Sequence, residues 1–179
     1  MIFAFWRKRQ DPRQRSVDAA YRAIVVAARQ PGLYVRGAVP DTMSGRYDMI
    51  VLHLWLVLAR LKEERTEETD EFSRLLTERM FADMDGNLRE LGVADTGVAR
   101  RIRHMAEAFF GRLRAYDAAA GDPQALRRAL ARNVLGDEKA DAAALRAYVD
   151  AARRALTTQP ARAILAGRIT FPPIDGSAS

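Results

Sequence analysis

The chain has 179 residues, no cysteine and a formal net charge of +6. This length allows one domain with a sizeable core, and the lack of thiols excludes disulfides, thiolate zinc sites and cysteine nucleophiles. Hydrophobic residues at 49% and charged residues at 29% exclude a wholly disordered chain, while a pI near 10.1, set almost entirely by arginine, favours anionic partners.

Residues 1–15 read as a flexible basic and aromatic arm, with Phe3, Phe5 and Trp6 followed by Arg7, Lys8 and Arg9. No signal peptide is evident, because the cations follow the apolar residues and the apolar stretch is short. Ser16 reads as an N-cap, with Val17, Tyr21, Ile24 and Val25 at helical spacing as far as Pro31-Gly32. Residues 31–45 read as a long loop with a short extended piece at Leu33–Val35. The next helix, about Arg46–Glu64, is apolar nearly all round and should form the centre of the core. Its longest apolar run, Met49–Leu61, contains His53 and Arg60 and falls short of the ~20 apolar residues of a membrane span.

A third helix opens at Asp70 and ends before Gly92, a C′ glycine. A fourth starts at Asp95 or Thr96, its stripe formed by Val98, Ile102, Met105, Phe109, Leu113 and Tyr116. Asp122-Pro123 caps and starts a fifth, which ends at Gly136. A sixth covers about Asp141–Leu156. The remainder reads as a short helix and an extended strap, with a disordered end over 171–179. The fold class is therefore all-α: an irregular single-domain bundle of about six helices over 16–170 with a C-terminal strap. Residues 62–95 hold eleven acids against five bases, and residues 96–132 hold eight arginines against three acids. Two faces of opposite sign are expected if these segments pack on opposite sides.

Catalytic signals are missing. Neither a Walker A sequence nor GxGxxG occurs, and serine-nucleophile patterns are absent. Asp83-Met84-Asp85-Gly86 imitates a calcium loop, but its glycine falls at the fourth position where the sixth is needed. His53 and His104 lie on different helices without a second ligand at metal spacing, so a core and a solvated role compete with haem or metal ligation. No catalytic, cofactor-binding or metal-binding residues are assigned. Arg100, Arg101, Arg103, Arg112 and Arg114 make a broad basic surface, open to a phosphate-binding or a merely solvated reading.

The middle of the chain carries a more specific signal. Tyr47-Asp48-Met49 and Leu52-His53-Leu54-Trp55 are followed in order by Phe81-Ala82-Asp83-Met84-Asp85, Leu88-Arg89-Glu90-Leu91-Gly92-Val93 and Met105 through Arg112. Tyr116-Asp117 and Arg132-Asn133 before Gly136 continue the set. Together these resemble the ubiquinol–cytochrome c chaperone family over roughly residues 16–170, with Phe110 standing where many members have tyrosine. The resemblance implies a non-enzymatic, cofactor-free assembly factor for respiratory complex III that holds newly made cytochrome b. With no transit peptide evident, it implies a bacterial cytoplasmic member, with a small helical partner protein and the ribosome as further partners, while the basic surface and arm point to a peripheral place at the cytoplasmic face of the inner membrane. Tyr47, His53, Trp55, Met84, Asp85, Arg89, Arg112 and Tyr116 are then the expected partner-binding residues. Arg100, Arg101, Arg103 and Arg114, with Trp6, Arg7, Lys8 and Arg9, are the expected contacts to an anionic surface such as the ribosome or anionic membrane. The alternative is a basic helical module binding nucleic acid or the ribosome.

Overall fold

A computed structural model describes residues 11–92 and 94–174. In chain order these form α1 (Pro12–Ala28), α2 (Pro31–Val35), α3 (Met43–Lys62), α4 (Glu67–Glu90), α5 (Asp95–Ala119), α6 (Pro123–Leu130), a π-helical turn (Ala131–Leu135), α7 (Ala143–Thr158) and α8 (Ala161–Leu165). The described residues contain no strand.

The helix starts follow side-chain capping, which satisfies backbone N–H groups that no helical carbonyl can reach. Asp11 accepts from Arg13 N, and Pro12 takes the first helical position. The expected cap Ser16 instead lies one turn inside α1, where its hydroxyl donates to Pro12 O, so residues 12–15 belong to the helix. Thr42 caps α3 through Gly45 N, four residues upstream of the expected start. Thr66 and Thr69 cap α4 reciprocally, ahead of Asp70. Asp122 caps α6 as its Asp-Pro sequence predicts. The extended piece expected at Leu33–Val35 is the helical turn α2, started by Pro31, with Leu33 buried.

Helix α3 is the axis of the bundle. Every residue from Asp48 to Val57 is buried, because α1, α4, α5 and α7 all pack around it. Each large apolar side chain buried this way contributes at most about 1.5–3 kcal/mol. Trp55 is 2% exposed. Its ring lies 5.2 Å from that of Tyr116 on α5, and its Nε1–H donates to Asp117 Oδ1 at 2.8 Å.

The register of the helices is fixed by side-chain bonds. Arg79 pairs with Asp18 at 2.8 Å, and the Tyr21 hydroxyl donates to Asp83 at 3.1 Å, so α1 and α4 run parallel. The Tyr47 hydroxyl donates to Met105 O at 3.0 Å, and Trp55 reaches Asp117, so α3 and α5 also run parallel. The acid-rich start of α4 and the arginine-rich start of α5 therefore lie at opposite ends of the bundle. The expected separation of charge runs along the molecule rather than across two faces.

The expected strap is present. After α8, Gly167 turns the chain with φ +77° against α1, where a Cβ would fall 2.6 Å from Ser16 O. Gln159 binds Thr170 through both its N–H and C=O, and Gln30 donates to Pro172 O at 3.2 Å. Phe171 and Ile174 pack on the core, so the expected disorder does not extend to 171–174. The arm residues 1–10 and the end 175–179 lie outside the described residues.

Candidate functional site

Between α3, α4 and α5 the surface opens into a groove of about 610 Å³. Its floor is Leu58, Phe81, Phe109 and Leu113, and its rim is Lys62, Asp70, Arg74, Glu78 and Phe110. Adjacent residues of a helix point about 100° apart, and the Phe109-Phe110 pair uses this. Phe109 is fully buried, 5.4 Å from the Phe81 ring. Phe110 is 51% exposed at the mouth. Arg74 on the rim is held by Glu71 and Glu78, and Lys62 pairs with Asp117 at 3.6 Å. The groove is thus apolar below and polar at its edges, and it is open enough to receive a side-chain stripe from another helix. The sequence contained one signal for it: two consecutive phenylalanines on an amphipathic helix cannot both face the core. Leu58 and Leu113 read only as core, and Phe81 only as part of the family-like stretch.

The core holds two polar clusters. Asp48, with its side chain 8% exposed, lies 2.8 Å from Arg112 Nη2, close but off the hydrogen-bonding axis. Burial pushes the Asp48 pKa up to about 6, although the Arg112 charge pulls it down. Buried Tyr116 is likewise pushed up, by burial and then by the Asp48 charge. The second cluster centres on His53. Its Nδ1 lies 2.8 Å from Met49 O and its Nε2 lies 2.6 Å from the Tyr148 hydroxyl. Gln30 Nε2 approaches the same hydroxyl at 3.5 Å, and the Phe171 ring stands edge-on to the imidazole at 5.0 Å. Burial holds the His53 pKa down to about 4, so the ring is neutral at physiological pH.

The structure redistributes the expected partner-binding residues. His53, Trp55 and Tyr116 are buried and cannot meet a partner directly in this conformation. Both His53 nitrogens are engaged within the protein, by Met49 O and the Tyr148 hydroxyl. Arg112 is directed inward onto Asp48 and drops out of the basic surface. Tyr47 and Met84 are half-buried against the core. Asp85 and Arg89 pair with each other at 2.7 Å, one turn apart, rather than with the arginines of α5. Arg100, Arg101 and Arg103 are exposed on the first half of α5, and Arg114 is exposed farther along it. Trp6, Arg7, Lys8 and Arg9 lie outside the described residues.

The chain is thus an all-helical bundle with an open apolar groove and a core closed around its polar groups. The chain belongs to the ubiquinol-cytochrome C chaperone family, whose match spans residues 36–171. It is 25% identical over 142 residues to ubiquinol-cytochrome-c reductase complex assembly factor 1 of Xenopus laevis, covering 76% of this chain and 70% of that protein. It superposes on the crystal structure of the Cbp3 homolog from Brucella abortus with a TM-score of 0.82 and 38% identity, over 98% of this chain and 99% of that one. Nothing in these comparisons points to nucleic acid.

Proposed function

We propose that this chain is an assembly chaperone of the ubiquinol–cytochrome c reductase complex, and that its groove between α3, α4 and α5 holds newly made cytochrome b. Family membership supports the assembly role. The observation that carries the site is Phe110, a large aromatic left half-exposed over an apolar floor. The work is holding rather than catalysis: an apolar segment of a membrane subunit is shielded until it is inserted or joined to its partners. Phenylalanine and leucine suit this, since they take up apolar segments without demanding a fixed hydrogen-bond pattern. No helix among the described residues is long and apolar enough to cross a membrane, and the chain is proposed to act from the cytoplasmic side.

A photo-crosslinking residue placed at Phe110, with a control at exposed Arg154 on α7, tests this in cells making the complex. Crosslinks to cytochrome b from position 110 and not from 154 are expected. Absence of such crosslinks from 110, while complex assembly still depends on the protein, overturns the site. The same experiment, read for a small helical protein or a ribosomal protein, tests the other two partners that the family resemblance implies.

A further inference from the structure

The chain enters the bundle beside the groove. Asp18–Arg79 and Tyr21–Asp83 fix α1 parallel to α4, so at equal rise Pro12 is level with about Ser73, which lines the groove. Glu71 confirms the neighbourhood: its pKa is held down by the hydrogen bond from Arg74 and, in smaller part, by the Arg13 charge. Arg79 faces α1 and Thr77 lines the groove. Two residues apart, they point about 200° apart around α4, so α1 and the groove lie on opposite sides of that helix. A helix with its side chains is about 10–12 Å across. Residues 7–11 span up to about 17 Å when extended, enough to pass over α4 and reach the mouth.

The sequence before Asp11 matches this path. Arg7, Lys8 and Arg9 fall at the crossing, and Ile2, Phe3, Phe5 and Trp6 fall beyond it. The crossing is acidic, with seven acids against four bases over residues 60–78. Of those bases, Arg60 pairs with Glu63 and Glu64, Lys62 with Asp117, and Arg74 with Glu71 and Glu78, while Arg65 is exposed. Glu67, Glu68 and Asp70, in the first turn of α4, are exposed and form no ion pair among the described residues. On the α5 wall, exposed Glu107 and Arg114 stand a turn before and a turn after Phe110 and offset each other in charge. The groove floor is apolar, and its volume of about 610 Å³ has room for a few large side chains. Cations then meet acids, and aromatic residues meet the floor, in the order in which the chain reaches them.

We propose that residues 2–6 occupy the groove between α3, α4 and α5 of their own chain, with Arg7, Lys8 and Arg9 over the first turns of α4, and that the client displaces them. The occupancy stands on the groove alone, whereas the displacement rests on the groove being the holding site. A short tether presents the segment at an effective concentration of about 1 mM. Ordering costs consume most of what so short a segment gains by burial, so its Kd for an open groove is of the order of 1 mM as well. The segment then covers the groove about half of the time. Such cover shields the apolar floor from other copies, yet it yields to a longer apolar client.

The chain has no cysteine, so a chosen pair can report the contact. In the full-length protein, Ala4→Cys/Glu78→Cys links the segment to the groove rim. Ala4→Cys/Arg154→Cys links it to α7, at the same end of the bundle because Arg60 donates to Leu156 O, but away from the groove. Under mild oxidation at low protein concentration, the disulfide between positions 4 and 78 of one chain should form at least tenfold faster than that between 4 and 154. Adding Phe3→Ser/Phe5→Ser/Trp6→Ser should bring the two rates together. Equal rates in the first comparison overturn the proposal, as does a disulfide between 4 and 78 that joins two copies, or a preference that survives the serine changes. In cells, a photo-crosslinking residue at position 110 should capture about twice as much cytochrome b when Phe3, Phe5 and Trp6 are replaced by serine. Unchanged or lower capture overturns the displacement. A fast disulfide between 4 and 78 with no capture of cytochrome b from position 110 keeps the occupancy and overturns the holding site, and the displacement with it.

Discussion

Arg112→Met strands the Asp48 carboxylate. In the parent the carboxylate is ionised at neutral pH, being only pushed up to about 6, and its close cation is Arg112 at 2.8 Å. Removing one partner of a buried pair costs about 3–5 kcal/mol, because the remaining charge has lost both water and its counter-ion. Methionine fills much of the volume of the arginine stem, so the packing part of the loss is about 1 kcal/mol. The two parts separate with pH. A folded-state pKa raised above the unfolded value means that protonation favours the fold, and the ionisation penalty appears as pH rises through about 6. Without Arg112 the Asp48 pKa rises further. Urea denaturation followed by circular dichroism should therefore show a loss of about 3 kcal/mol at about pH 7.5, shrinking to about 1 kcal/mol near pH 4.5. The double variant Asp48→Asn/Arg112→Met should lie within about 1–2 kcal/mol of the parent at both pH values. Equal losses at the two pH values would refute the reasoning, since the cause would then be packing and not charge.

Trp55→Ala should cost roughly 3–5 kcal/mol in the same assay, whereas Trp55→Phe, losing mainly the bond to Asp117, should cost about 1 kcal/mol. His53 and Asp48 oppose each other in acid: lowering His53 to about 4 makes the fold lose stability as pH falls, while raising Asp48 to about 6 makes it gain. His53→Gln should therefore shift the stability slope between about pH 6.5 and 4.5 toward acid stabilisation relative to the parent, by up to about 3 kcal/mol, and an unchanged slope would sink this assignment. Gly167→Ala should melt lower than the parent, because it adds a Cβ both at φ +77° and within 2.6 Å of Ser16 O. Phe110→Ser should change stability by less than about 1 kcal/mol, as a half-exposed site does, yet reduce assembled complex in cells.

Most helix boundaries in the middle of the chain were legible because a local rule sets them. Asp122-Pro123 states both a cap and a first helical residue, and Gly92 and Gly136 take the positive φ that ends a helix. The starts that differ were decided by competition between neighbouring candidates. Asp11 precedes Ser16, and a cap followed by Pro12 outranks a serine that is satisfied by donating to the carbonyl four residues back. Thr42 and Thr66 likewise precede the expected starts, with Gly45 and the polar run 63–69 masking the early turns. Leu33–Val35 reads as extended from its β-branched and aromatic residues, but Pro31 pre-sets a helical φ and Leu33 is drawn into the core.

The groove was less legible because periodicity ranks residues by hydrophobicity and not by what lies opposite them. Phe109 and Leu113 on one helix both read as core. Where the core ends depends on how far α4 leans from α5, which the polar contacts of the two helices with α1 and α3 determine. The family-like residues show the same logic from the other side. Trp55, Tyr116, Asp48 and Arg112 form one cluster that fixes α3 against α5, and the floor of the groove is built on that pair. A change at Trp55 would therefore disturb partner holding without Trp55 touching the partner. The two routes separate experimentally, because a positioning residue loses stability and holding together, while Phe110 should lose holding alone.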